Sequence, residues 1–81
     1  MADKNMGSLE DQQAELERLR ERVYAAKTAY LNGTPFEQHD ELSYDQLAVI
    51  AKEFINASYA YQRQKYGSVK VKISVAKILR R

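Results

Sequence analysis

The residues with the clearest potential for chemistry are the cations of the last 28 residues, a stretch that contains no Asp or Glu. Ammonium and guanidinium groups without neighbouring carboxylates are suited to phosphate oxygens, and each such contact makes nucleic-acid affinity fall with salt. Edge lysines that keep an exposed strand from aggregating are the alternative interpretation. We favour phosphate binding, and the predicted cations are Arg63, Lys65, Lys70, Lys72, Lys77, Arg80 and Arg81.

Aromatic residues alternate with cations around positions 59–66. Tyr59 and Tyr66 are predicted to stack on exposed bases, as aromatic side chains do in single-strand-binding proteins, although packing against the rest of the chain is an equal alternative. Packing is the favoured interpretation for Tyr61, which shares a helical face with Phe54 and Ser58.

Charge is strongly segregated along the chain. The first 53 residues hold 6 Lys and Arg against 11 Asp and Glu, a net of −5, and the remainder holds 7 cations, which together give the overall +2. A cationic tail of this kind indicates an anionic partner, which is nucleic acid or an acidic protein. A membrane partner is not predicted, because the tail lacks the Trp or Phe of an interfacial helix.

Residues suited to catalysis are few. Glu37, His39, Asp40 and Glu41 are close enough in sequence to hold a divalent cation or orient a base, but a solvated acidic loop is the favoured interpretation. The chain has no Cys, no Ser-His-Asp order and no Gly-rich phosphate loop. We therefore predict a protein that is not an enzyme and has no metal or cofactor.

An 81-residue chain has room for one domain. Because a chain this short hides about 60% of its unfolded surface, we expect a homo-oligomer. Residues 1–7 are predicted to be a flexible N-terminus, 8–67 a helical hairpin and 68–81 a basic C-terminal segment. Neither a signal peptide nor a run of ~20 apolar residues is present, so a cytoplasmic location is predicted.

The first helix is predicted at 9–31. Ser8 is a suitable N-cap, and Asn32-Gly33 followed by Pro35 predicts its end. Its apolar positions follow a heptad pattern with Gln12 as the polar exception, and they are Leu9, Leu16, Leu19, Val23, Ala26 and Tyr30.

The second helix is predicted to begin after Ser43, which forms a capping-box pattern with Gln46, and to end near Gly67. Its apolar arc covers about half of the circumference, which is wider than one partner helix covers. Either the C-terminal segment or the same helix of another subunit must cover the rest, and the pattern does not distinguish them.

The C-terminal segment fits two periods. Val69, Val71, Ile73 and Val75 alternate with polar residues as in a strand, whereas Val71, Val75, Ile78 and Leu79 share a helical face. A short strand that continues into a helical turn is favoured, and it would pair with another copy or with a partner's sheet edge.

The predicted fold is thus mainly α: an antiparallel two-helix hairpin with a short C-terminal β-strand or helical turn, assembled as an oligomer. The predicted interface residues are Leu16, Leu19, Val23, Ile55, Tyr59, Val69, Val71, Ile73 and Val75.

Over about half of the chain, the residues Glu41-Leu42-Ser43, Leu47-Ala48-Val49, Lys65, Val75 and Lys77 resemble the second half of the small all-helical Hha/YmoA modulators of nucleoid proteins. The chain lacks that family's central Asp-His-Arg run and its C-terminal Trp. The resemblance implies a small DNA-associated regulator and assigns no residue roles.

Two functions follow from these observations. The first is a nucleic-acid-associated accessory or regulatory protein that binds phosphates through its basic C-terminal segment. The alternative is a protein-interaction module, such as an adaptor, an inhibitor or a small assembly subunit of phage or plasmid type, which uses the C-terminal strand and the wide apolar face of the second helix.

Overall fold

A computed structural model describes residues 8–80. These residues form two long helices, α1 (Leu9–Asn32) and α2 (Tyr44–Tyr66), and a short helix, α3 (Val75–Leu79). The prediction of a mainly helical chain with two long helices is confirmed. The strand favoured for the C-terminal segment is wrong, because residues 8–80 contain no strand and the helical turn forms instead.

The ends of α1 follow from its capping residues. The Ser8 hydroxyl accepts a hydrogen bond from the Asp11 N–H (3.1 Å), which satisfies one of the free donors of the first turn. Gly33 adopts a left-handed conformation with φ 68°, and its N–H bonds back to the carbonyls of Ala29 and Tyr30. A side chain is disfavoured in this conformation, so the helix ends where glycine occurs.

The capping box predicted for α2 is confirmed. The Ser43 hydroxyl accepts from the Gln46 N–H (3.1 Å), and the Gln46 side chain accepts from the Ser43 N–H (2.8 Å). The helix ends at Gly67, whose N–H bonds to the Arg63 carbonyl at 2.8 Å.

The core lies where α1, α2 and α3 meet. Its buried members come from α1, from the loop and from α2: Val23, Ala26, Leu42, Leu47, Ile50 and Ala51. Val75, Ile78 and Leu79 of α3 are half-buried and pack against this cluster. The C-terminal segment of the same chain therefore covers part of the wide apolar arc of α2, which was one of the two predicted alternatives.

The heptad pattern of α1 is buried mainly over its second half. Leu19, Val23 and Ala26 are buried, whereas Leu16 is half-buried and Leu9 is exposed. The second half of α1 therefore packs on the core, and the first turns of the helix extend beyond the core.

Two side chains of α2 bind the backbone of residues 70–73 and hold it extended. The Gln62 side-chain oxygen accepts from the N–H groups of Lys70 (2.6 Å) and Val71 (2.7 Å), and its Nε2 donates to the Val71 carbonyl (2.9 Å). The Tyr59 hydroxyl donates to the Ile73 carbonyl (2.7 Å) and accepts from the Ile73 N–H (3.0 Å). We call these five hydrogen bonds the Tyr59–Gln62 clasp.

The clasp explains why the strand prediction fails although the strand period is present. An extended backbone must pair its N–H and C=O groups, and in a sheet a neighbouring strand does this. Here an amide and a phenol of α2 supply those partners. The alternation of Val69, Val71 and Ile73 therefore marks an extended segment that lies on a helix.

The far end of the C-terminal segment is bound by α1. The Lys27 ammonium donates to the carbonyls of Ile78 (3.1 Å) and Arg80 (2.8 Å). Carbonyls at the end of a helix lack intrahelical partners, so a cation there both satisfies them and interacts favourably with the helix dipole.

Replacement of Gln62 by Ala should loosen the C-terminal segment. The substitution leaves the N–H groups of Lys70 and Val71 without their acceptor, and loss of a buried hydrogen-bond partner costs about 1–3 kcal/mol. We expect a corresponding fall in the urea-derived free energy of unfolding and faster hydrogen exchange at these two amides.

Gln64→Ala is the matched control, because Gln64 is an exposed residue of the same helix. Equal unfolding free energies and equal exchange rates in the two variants would show that the clasp does not hold the segment.

Candidate nucleic-acid interface

Six of the seven predicted cations lie in the described residues, and all six are exposed. Arg63 and Lys65 are in the last turn of α2, and Lys70 and Lys72 lie on the extended segment that the clasp holds. Lys77 and Arg80 line a shallow groove of about 280 Å³ beside α3, together with Ser74 and Ala76. Arg81 lies outside the described residues.

In the described part of the chain, no carboxylate forms an ion pair with these cations. Within residues 8–80 the ion pairs are those of Arg18 with Glu15, of Arg20 with Glu17, and of Arg22 with Glu37 and Glu53. None of them includes a cation after Glu53. The charge segregation of the sequence thus persists in the fold as a cationic surface.

The path of the C-terminal segment spreads these cations along α2. After Gly67 the chain passes first over Gln62 and then over Tyr59, and α3 packs on the core that contains Ile50. From residue 62 to residue 50 a helix rises about 18 Å. That distance corresponds to about five phosphates along one strand of duplex DNA, at ~3.4 Å each.

The two tyrosines predicted to stack on bases lie in different environments. Tyr59 is half-buried, and its hydroxyl is engaged with Ile73. Tyr66 is 51% exposed, and the Lys65 ammonium lies 5.3 Å from its ring centroid and 5.6 Å from that of Tyr61. Tyr61 and then Tyr66 raise the pKa of Lys65 above its ordinary value. Base stacking stays a prediction, for which Tyr66 offers the more accessible ring.

Most of the predicted interface residues contact their own chain. Leu19, Val23 and Ile55 are buried, and Val71 is 57% exposed. The remaining five are half-buried: Leu16, Tyr59, Val69, Ile73 and Val75. A contribution of these residues to contacts between subunits stays a prediction.

Sequence reasoning missed two residues that position the cations, Gln62 and Lys27. Gln62 had a usable signal, because it lies four residues after Ser58 and seven after Ile55 on the apolar face, where a buried amide requires partners. Lys27 had none, since it binds carbonyls 51 and 53 residues further along the chain.

The acidic loop is held by α1. Both carboxylate oxygens of Glu37 accept hydrogen bonds from the Arg22 guanidinium, at 2.9 and 3.0 Å, and Arg22 also pairs with Glu53. The His39 Nδ1 lies 2.9 Å from the Gln46 Nε2. Among residues 8–80, no three His, Asp or Glu side chains converge as they would around a metal ion. Of the four loop residues considered for metal binding or catalysis, Glu37 and His39 thus make structural contacts.

The Arg22–Glu37 pair should be visible in a pH titration. Hydrogen bonding to the Arg22 guanidinium lowers the pKa of Glu37 below its ordinary value. A carboxyl with a depressed folded-state pKa stabilises the fold above its unfolded-state pKa, and this contribution is lost as the pH falls through the folded-state pKa. Arg22→Gln should therefore raise the midpoint of Glu37 in a carbon-detected NMR titration.

The comparison variant is Arg20→Gln, which removes a guanidinium that pairs with Glu17 instead. A Glu37 midpoint that is the same in the wild type and in Arg22→Gln would contradict the pairing.

No helix within residues 8–80 has the length and apolar character required to cross a membrane. No protein-family model, no curated protein and no solved structure matches this chain. The resemblance to the Hha/YmoA modulators is therefore without support from these comparisons.

Proposed function

We propose that this protein is a non-enzymatic, cytoplasmic accessory or regulatory factor that binds DNA or RNA through phosphate contacts of its C-terminal segment. The observation that carries the proposal is the set of six exposed cations that pair with no carboxylate within residues 8–80. Four of them lie on the segment that the clasp and α3 hold, and Arg63 and Lys65 lie in the last turn of α2. Fixing the segment before binding lowers the entropy lost when it meets a partner.

The proposed contacts do not read base sequence. Lys and Arg contacts to phosphates position a protein on nucleic acid but carry no sequence information directly. Groove readers insert a helix or a strand pair into the groove, whereas α3 has five residues and packs against the core. We therefore expect weak sequence preference and a steep salt dependence. Six phosphate contacts would give a slope of about −5 in log affinity against log salt.

The antiparallel arrangement of the two long helices and the oligomeric state are also part of the proposal. Tyr30 contacts Tyr44, and Arg22 pairs with Glu53. Residues near the end of α1 therefore lie beside the start of α2, and earlier residues of α1 lie beside later residues of α2. This order supports an antiparallel hairpin. We also propose that the protein forms a homo-oligomer, since one chain leaves several large apolar side chains exposed.

A protein-interaction module is the second candidate, and the exposed side chains of Tyr30, Leu31 and Tyr44 favour it. Addition of the C-terminal segment to a partner's sheet would first require the clasp to open, because the N–H groups of Lys70, Val71 and Ile73 are already bonded. An interaction through the loop end requires no such change.

Fluorescence anisotropy with a labelled 20-base-pair duplex and a labelled single strand, over a salt series, tests the nucleic-acid proposal. The K70E/K72E variant should bind about tenfold more weakly or worse at ~0.1 M salt, and its salt slope should be shallower by about 2. Both side chains are exposed, so the fold should be retained.

The control is R18E/R20E, which changes the net charge by the same amount on exposed positions of α1. Absence of wild-type binding at low salt, or equal losses in the two variants, would refute the proposal. Point substitutions are preferable to truncation after Gly67, which would also remove Val75, Ile78 and Leu79 from the core.

A further inference from the structure

An apolar surface is exposed at the end of the molecule where α1 meets the loop. Tyr30, Leu31 and Tyr44 are 37%, 45% and 50% exposed, and the two tyrosine rings pack edge to face with centroids 6.3 Å apart. Beside them is an open groove of about 500 Å³, lined by Tyr30, Leu31, Gly33, Glu41, Leu42 and Ser43. We call this region the loop-end surface.

The loop-end surface is bordered by negative charge. Residues 33–45 contain no Lys or Arg. Asp40, Glu41 and Asp45 are exposed, and within residues 8–80 none of them forms an ion pair. A ligand of this surface should therefore combine apolar side chains with positive charge.

The opposite end of α2 has that combination. Tyr66 and Val71 are 51% and 57% exposed, and they lie among cations, which are Arg63, Lys65, Lys70 and Lys72. We call this region the basic-end surface. Tyr44 and Tyr66 are the first and last residues of α2, whose 23 residues span about 33 Å. The two surfaces of one molecule therefore cannot contact each other.

We propose that the loop-end surface of one copy binds the basic-end surface of a second copy. The two surfaces are opposite in charge, and each has exposed aromatic and aliphatic side chains that the contact would bury. Such a contact is head-to-tail, and it generates a ring or an open chain according to the rotation between neighbours.

The inference supplies an interface for the homo-oligomer proposed above and does not depend on nucleic-acid binding. It adds one consequence if both proposals hold. Phosphates and a second copy would compete for the cations of the basic-end surface, so nucleic acid should shift the protein toward smaller species.

Charge exchange between the two surfaces tests the proposal. In D40K/E41K, with Asp45 retained, the loop-end charges sum to +1, so both surfaces are positive. In K65E/K70E/K72E, with Arg63 retained, the basic-end charges sum to −2, so both surfaces are negative. Each variant alone should therefore remain monomeric. An equimolar mixture should associate, because each surface then meets its complement. Sedimentation velocity over a protein concentration series at ~50 mM salt measures this, and wild-type association should weaken at ~0.5 M salt, where charges are screened within about 4 Å.

Chemical-shift changes on raising the wild-type concentration identify the contact. A head-to-tail contact must perturb both Tyr44 and Tyr66, whereas a symmetric dimer through one surface would perturb one of them. Circular dichroism of each variant checks that the exposed substitutions leave the helices formed.

Three results would overturn the inference: a wild type that stays monomeric at millimolar concentration and low salt, folded variants whose mixture does not associate, or association that persists in both separate variants. The test is independent of the nucleic-acid role, because D40K/E41K retains every cation of the C-terminal segment and should still bind the duplex.

Discussion

The structure depends on how the backbone of residues 70–73 satisfies its hydrogen bonds. An extended segment on the surface of a helix has no neighbouring strand, and unpaired backbone groups that are shielded from water are costly. Gln62 and Tyr59 supply five hydrogen bonds to this segment. The path to α3 follows from this attachment, and so do the position of α3 on the core and the placement of Lys70 and Lys72.

The clasp and the core support each other. Gln62 is 7% exposed, so its amide is removed from water and requires partners. The C-terminal segment provides those partners, while α3 covers apolar residues of α1 and α2 that a two-helix hairpin would leave exposed. Lys27 adds a third attachment from α1. The basic segment is thereby an integral part of the fold, although its composition is typical of a tail.

Features governed by local interactions could be predicted from the sequence. The caps at Ser8 and Ser43 act within one helical turn, and Gly33 and Gly67 end their helices through their own backbone conformations. The width of the apolar arc on α2 also predicted correctly that a further element covers it. What covers it could not be predicted, because the strand period of the tail defines an extended backbone and not the partner of that backbone.

The candidate site likewise has features that local sequence predicts and features that depend on distant contacts. Its cations were identifiable because no acidic residue follows Glu53. Their exposure and their fixed positions depend on contacts such as that of Lys27 with the Arg80 carbonyl, which no local pattern encodes. Ion pairing explains why the charge separation survives folding. The arginines of α1 pair with Glu15, Glu17, Glu37 and Glu53, and within residues 8–80 neither the other carboxylates of the loop nor the cations after Glu53 form an ion pair. Like charges that lie close together repel each other, and a counter-charged partner would relieve that repulsion, which is the physical basis of both proposed contacts.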